Sequence, residues 1–225
     1  MTILTVEAKP YDFQYDPAKL GILFIDFQRD FLYPRGFGES LGNDTSLLRQ
    51  AVEPARKVLE ASRAHSLSIF HIREGHQPDL NDCPPSKMRR GNFPTRIGDQ
   101  GPMGRVLIRG EYGHGIIEEM APQEGEVVID KPGKSAFTNT NLHAELQRRG
   151  IKYLVFTGVT TEVCTLTTVA QGNDLGYEIL TLKDCVASYK PDLHDAALRM
   201  ITSQNGIFGW VSDSDKFLKS LLLLE

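Results

Sequence analysis

Residues able to do acyl-transfer chemistry follow short apolar runs at widely separated points of the chain. They are Asp26, Lys131, a second lysine, Lys134, and Cys164. A thiol can attack a carbonyl, a carboxylate can carry the thiol's proton, and an ammonium can balance the charge on both. None of these residues is informative alone. Cysteine is among the most buried residue types, and an aspartate at a strand end is commonly a cap or turn former. A lysine after a strand is commonly a solvated end. Cys164 stands apart because it follows Gly158-Val159-Thr160-Thr161 near the start of a predicted helix, where unpaired N–H groups and the helix dipole favour an anion. Together with a nearby ammonium, such a position can lower a thiol pKa from about 8.5 into the range of roughly 3.5–7.5. Asp26 follows an apolar run and precedes Phe27, so its carboxylate is partly desolvated and needs a cation. Lys131 and Lys134 both qualify, and spacing does not separate them.

The elements that must position these groups are legible from periodicity. Residues 20–26 (LGILFID) read as a strand buried on both faces. Residues 46–64 read as a helix with Leu48, Val52, Ala55, Val58 and Leu59 on one face. Strands are predicted at 68–72, 126–130, 153–158, 178–182 and 206–211, and helices at 140–149, 162–173, 192–203 and 213–222. This alternation predicts a three-layer α/β/α domain with a six-stranded parallel sheet. Ligands of such sheets bind outside the carboxyl ends of the strands, and Asp26, Lys131 and Cys164 all fall at that edge. Between strands two and three, residues 73–115 are rich in Gly, Pro and charge, which suits a lid or binding loop, with a short helix expected at about 112–119.

The 225 residues suit one sizeable core, taken as a single domain over 1–225. A net charge of −4 gives no reason to expect nucleic acid or an anionic membrane as partner. No secretory h-region or membrane-length apolar run is present, and 221–224 is expected to dock as part of a terminal helix with Phe217 and Leu218. Cys83, Cys164 and Cys185 are odd in number and widely spaced, matching neither a disulfide framework nor a zinc motif. The expectation is a cytoplasmic protein whose partner is a small molecule.

The segments Leu23-Phe24-Ile25-Asp26-Phe27-Gln28, Asp130-Lys131-Pro132-Gly133-Lys134 and Thr157-Gly158-Val159-Thr160-Thr161-Glu162-Val163-Cys164 closely resemble the signature segments of isochorismatase-like cysteine hydrolases. Within that superfamily, Arg73-Glu74-Gly75-His76-Gln77-Pro78-Asp79-Leu80 and Ile97-Gly98-Asp99, with Gly101-Pro102, look most like the biuret and triuret hydrolase branch. The ureidoacrylate amidohydrolases are a related branch. The resemblance implies a sheet order 3-2-1-4-5-6 and a catalytic triad of Asp26, Lys131 and Cys164. It also implies a cis peptide between Val159 and Thr160, and an oxyanion hole from the N–H groups of Thr160 and Cys164. Substrate contacts at Phe31, Lys134 and Gln204 follow from the same branch, with Glu74, His76 and Arg90 unranked. A homodimer or homotetramer and a cofactor-free amidohydrolase acting on a small ureide complete the expectation.

Nicotinamidases of this superfamily bind a metal after strand two through an aspartate and histidines. Here His71 and His76 flank Arg73 and Glu74 without the Asp-x-His pattern, so no metal is expected and His71 is read as a core histidine. In that sheet order strand three lies two strands, roughly 10 Å, from strand one, so Lys131 must lean back to reach Asp26. Rival readings are a vinyl-ether hydrolase, which needs no thiol, an idle binding protein, and a redox sensor pairing Cys164 with Cys83.

Overall fold

In the computed structural model, residues 2–91 and 94–224 are described, and strand–helix alternation builds the expected sheet. Its strands are β1 Leu20–Ile25, β2 Ser68–Glu74, β3 Val127–Lys131, β4 Tyr153–Val159, β5 Glu178–Ala187 and β6 Trp210–Ser212. All neighbours pair in parallel, in the order β3-β2-β1-β4-β5-β6. The order is the one anticipated.

Period-two alternation along buried strands sends side chains to two separate cores. Ile22 and Phe24 of β1 join one cluster with Val155, Leu180 and Leu182. That face is covered by α1 (Val52–Ala64) through Ala55, Val58 and Leu59, and by the terminal helix through Phe217 and Leu221. Leu23 and Ile25 point to the other cluster, which is covered by α2 (Leu142–Arg148), α3 (Leu166–Asp174) and α4 (Pro191–Gly206). Each fully buried aliphatic or phenyl side chain contributes about 1.5–3 kcal/mol, so the two layers together fix the sheet rigidly under the site.

Several boundaries differ from the periodic reading. The helix expected over 46–64 divides into Ser46–Arg49 and α1, and the final strand is confined to Trp210–Ser212. Before that strand, Gly209 adopts φ 142°, and a Cβ there would stand 2.3 Å from the Ile179 carbonyl oxygen. The expected helix at 112–119 is absent; only a 3-10 turn, Glu118–Met120, forms. A small antiparallel hairpin, Leu4–Val6 with Phe13–Tyr15, was not anticipated because its strands are too short to show a period. The terminal helix α5, Ser214–Leu221, buries Phe217 and Leu221, whereas Leu222 and Leu223 remain exposed.

Strand β2 runs two residues further than its apolar run suggests, because Arg73 and Glu74 continue the ladder opposite Asp130 and Lys131. The segment that follows is anchored rather than loose. Buried Gln28 donates to the carbonyl oxygens of Glu74 (2.9 Å) and His114 (3.0 Å), and the Glu74 N–H donates back to Gln28 Oε1 (2.7 Å). Buried Asp30 accepts from the Leu107 N–H at 3.0 Å. Two side chains from the turn after β1 thus pin both ends of the covering segment to the carboxyl edge.

Candidate active site

The chain leaves β1 through Asp26 in the left-handed region, φ 57°, and the Asp26 N–H still donates to the Ile72 carbonyl of β2 at 2.8 Å. The turn therefore swings Asp26 across β2, toward β3. This resolves the reach problem: Lys131 Nζ lies 2.9 Å from Asp26 Oδ2 although β2 separates their strands. Both Asp26 oxygens are buried, with the Lys131 ammonium against Oδ2 and the Cys164 thiol beside the carboxyl.

One residue before the end of strand β4, Gly158 adopts φ 126°, where a Cβ would meet the Ile25 carbonyl oxygen at 2.1 Å. The Val159–Thr160 peptide that follows is cis, as the resemblance implied. The expected helix then starts with a π turn, Thr161–Thr165, before α3. Such turns occur often at functional sites. Thr160 O accepts from the N–H groups of Val163 and Thr165, passing over that of Cys164 between them. Cys164 is buried, with Sγ 3.4 Å from Lys131 Nζ.

A fourth charged group completes the centre. Glu74, wholly buried at the end of β2, brings Oε2 to 3.6 Å from both Lys131 Nζ and Cys164 Sγ. Its Oε1 accepts from Lys87 Nζ at 2.7 Å and Lys134 Nζ at 2.8 Å. Lys87 comes from a four-residue helix, Pro85–Met88, in the covering segment, and also donates to His76 Nε2 and to the Pro132 carbonyl. Sequence reading left Glu74 unranked because strand two was ended at Ile72. The missed signal is its register: one more pair along β2 sets it opposite Lys131.

The electrostatics follow from this count. Burial pushes the Asp26 carboxyl above its ordinary value, Lys131 opposes that, and Glu74 adds to it. Burial alone would also raise Glu74, but Lys131, Lys134 and Lys87 together hold it well below the usual carboxylate range. Burial would strip Lys131 of its proton; Asp26, Cys164 and Glu74 instead keep it firmly charged. The expectation for Cys164 is corrected here. Burial pushes its thiol well up, and Asp26 and Glu74 reinforce this against Lys131 and Lys134. The helix-end and ammonium contributions do not offset removal from water beside two carboxylates.

Among the other expected contacts, Lys134 reaches the centre through Glu74. Phe31 is half-buried on the turn helix Arg29–Leu32, with its carbonyl accepting from Tyr189 Oη at 2.8 Å. Gln204 is not brought to Cys164 within this chain. It lies exposed near the end of α4 with φ 50°, where the chain turns back into β6 at the amino edge of the sheet. A helix leaving the carboxyl edge must end at the opposite one. Arg90 instead lines a cavity of about 250 Å³ together with Lys87, Lys134 and Asn139.

Asp26, Glu74 and Cys164 offer donor atoms within 4.8 Å of one another, but the Lys131 ammonium stands among them. His71 is committed to Glu126 at 2.8 Å and stacks on Phe24, and His76 faces Asp82 at 3.2 Å. The two histidines share no ligand position. Cys83 and Cys185 are buried free thiols.

A doubly wound sheet presenting a thiol, an ammonium and carboxylates at its carboxyl edge defines a nucleophilic hydrolase. A family model described as Isochorismatase domain matches residues 21–216, and the chain belongs to that family of hydrolases. It is similar to a cysteine hydrolase from Pseudomonas syringae pv. phaseolicola, with 23% identity, coverage of 100% of this chain and 99% of that one, and a TM-score of 0.78. An N-carbamoylsarcosine amidase from Thermoplasma acidophilum shares 27% identity over 88% of this chain and 97% of its own, with a TM-score of 0.68. A pyrazinamidase/nicotinamidase from Streptococcus mutans UA159 matches at 23% identity over 86% and 99%, with a TM-score of 0.70. No helix among the described residues is long and apolar enough to cross a membrane.

Proposed function

We propose that this hydrolase is a cysteine amidase that cleaves a carbamoyl C–N bond of a small ureide, of the biuret or triuret kind, and releases ammonia. The observation that carries the reading is the Lys131 ammonium 2.9 Å from Asp26 and 3.4 Å from Cys164 Sγ, beside a turn that leaves the Cys164 N–H out of the Thr160 contacts. Asp26 takes the thiol proton as sulfur attacks the carbonyl carbon, and the N–H groups of Thr160 and Cys164 hold the oxyanion. Each such donor is worth on the order of 2.7–4 kcal/mol where it has been removed in other enzymes. The tetrahedral adduct then expels the amine, which takes the proton from Asp26 and leaves as ammonia. Water, deprotonated by Asp26, hydrolyses the remaining S-acyl group and restores the thiol. Lys131 stays charged throughout.

Two further points support the substrate class. The nucleophile and its partners are buried under the covering segment, which suits a compact molecule over a polymer. The carbamoyl group named for the Thermoplasma structure is the functional group of a ureide. Phe31 is assigned to the planar face of the substrate, and Lys134 to a carbonyl oxygen. Action in the cytoplasm as a homo-oligomer belongs to the same proposal. The test is ammonia release from biuret, triuret, ureidoacrylate-like amides, nicotinamide and N-carbamoyl amino acids, with Cys164→Ala in parallel. Turnover of biuret or triuret, lost in the variant, is the expected result; turnover surviving in the variant removes the thiol mechanism.

A further inference from the structure

Two carboxylates flank the Cys164 thiol, yet their surroundings differ in kind. Asp26 has one ammonium against it and the Cys164 thiol beside it. Glu74 has three ammoniums around it, from Lys87, Lys131 and Lys134, and both its oxygens are engaged. One of those oxygens also accepts from the thiol at 3.6 Å.

We propose that Glu74 is a fourth catalytic residue, a fixed carboxylate that accepts from the resting Cys164 thiol, keeps it protonated and leaves Asp26 as the base that removes its proton. When paired acids are pushed apart by their environments, the pair divides the work: the carboxyl raised by burial exchanges protons, and the one lowered by cations stays an anion. Burial raises Asp26, whereas the three lysines outweigh burial at Glu74. In the first step the S–H bond breaks, the proton passes to an Asp26 oxygen, and the sulfur lone pair forms the bond to the substrate carbon. Glu74 keeps its charge from start to finish. Its repulsion of a thiolate disfavours ionisation until a carbonyl carbon is in place to take up the sulfur electrons.

Lys87 ties this arrangement to the covering segment. Its Nζ bridges Glu74 Oε1, His76 Nε2 and the Pro132 carbonyl at 2.7, 2.9 and 2.6 Å. The clamp between Gln28 and the Glu74 backbone fixes the carboxylate from the other side. Glu74 is thus held from the turn after β1, from β3 and from the segment above.

The proposal rests on Cys164 being the nucleophile, and its test needs no substrate. The rate of Cys164 alkylation by iodoacetamide is followed against pH by mass spectrometry, with Cys83 and Cys185 as references in the same chain. Removing a like charge at this distance is expected to move the Cys164 profile of Glu74→Gln to lower pH by about one unit or more. Glu74→Asp, which keeps the charge, is expected to stay near wild type. Should Glu74→Gln fail to fold, the charge-balanced Glu74→Gln/Lys87→Met variant carries a smaller shift in the same direction, because Glu74 touches the sulfur whereas Lys87 bonds to the far carboxylate oxygen. An unmoved profile, or one moved upward, overturns the proposal even if turnover is lost, since a structural role alone gives that result. A wild-type Cys164 that resists alkylation at every pH while the reference cysteines react overturns the nucleophile reading itself.

Discussion

Lys131 Nζ stands 2.9 Å from Asp26 Oδ2 across an intervening strand, and the same ammonium touches Cys164 Sγ at 3.4 Å. The contact exists because the chain turns at Asp26 with φ 57° and bonds back to Ile72 of β2. One cation thereby serves a carboxyl raised by burial and a thiol raised by burial. Its removal has both structural and chemical consequences.

Lys131→Met should lower stability by roughly 3–5 kcal/mol, the usual cost of stranding buried charges. Denaturant unfolding measures it. A variant as stable as wild type would mean that Asp26 and Glu74 are neutral in the folded protein.

Asp26→Asn keeps the side chain's shape and removes its basicity. Turnover should fall by about 10²–10⁴, the usual contribution of a positioned base. In the wild type the acid limb of kcat/KM should lie above the ordinary aspartate value of about 3.9, because Asp26 must be ionised to accept a proton and burial raises its pKa. A limb at or below that value would assign the base elsewhere.

Glu126 offers a stability test remote from the chemistry. Burial would raise its pKa, but hydrogen bonds from Arg63, the Gln123 N–H and His71 lower it from 4.5 to about 2. A carboxyl lowered on folding stabilises above its unfolded value, and that stability is lost as pH falls through the folded value. Wild type should therefore lose roughly 3 kcal/mol between about pH 4.5 and 2 that Glu126→Gln does not lose. Parallel pH–stability curves for the two proteins would refute the assignment.

Gly158→Ala should cost more than about 1 kcal/mol, since alanine is unfavourable at positive φ, and the new Cβ would stand 2.1 Å from the Ile25 carbonyl oxygen. Because Gly158 precedes the turn carrying Cys164, the slower alkylation of Cys164 should accompany the lower Tm. A wild-type Tm would show that the turn can shift without loss.

Gln204→Ala tests placement. In one chain Gln204 is exposed near the amino edge of the sheet, so KM for the turned-over amide should be unchanged. A raised KM would make Gln204 a residue supplied by a second copy of the chain.

Much of this protein is determined by local order in the sequence. Short continuous apolar runs such as 20–25 read as strands buried on both faces, and their alternation with amphipathic helices leaves few topologies besides the doubly wound sheet. Placing Asp26, Lys131 and Cys164 at the carboxyl ends of strands follows from that order alone. What the tertiary structure decided depends on interactions between distant segments. Glu74 sits in a strand because Gln28 and the lysines satisfy its backbone and its charge, and no local pattern reports that a charged residue is buried. The protonation of Cys164 turned on the same point: a helix start and a nearby lysine are readable locally, but desolvation and a second carboxylate from another strand are not. Gln204 shows the converse, since only the path of α4 back across the sheet reveals which edge it reaches.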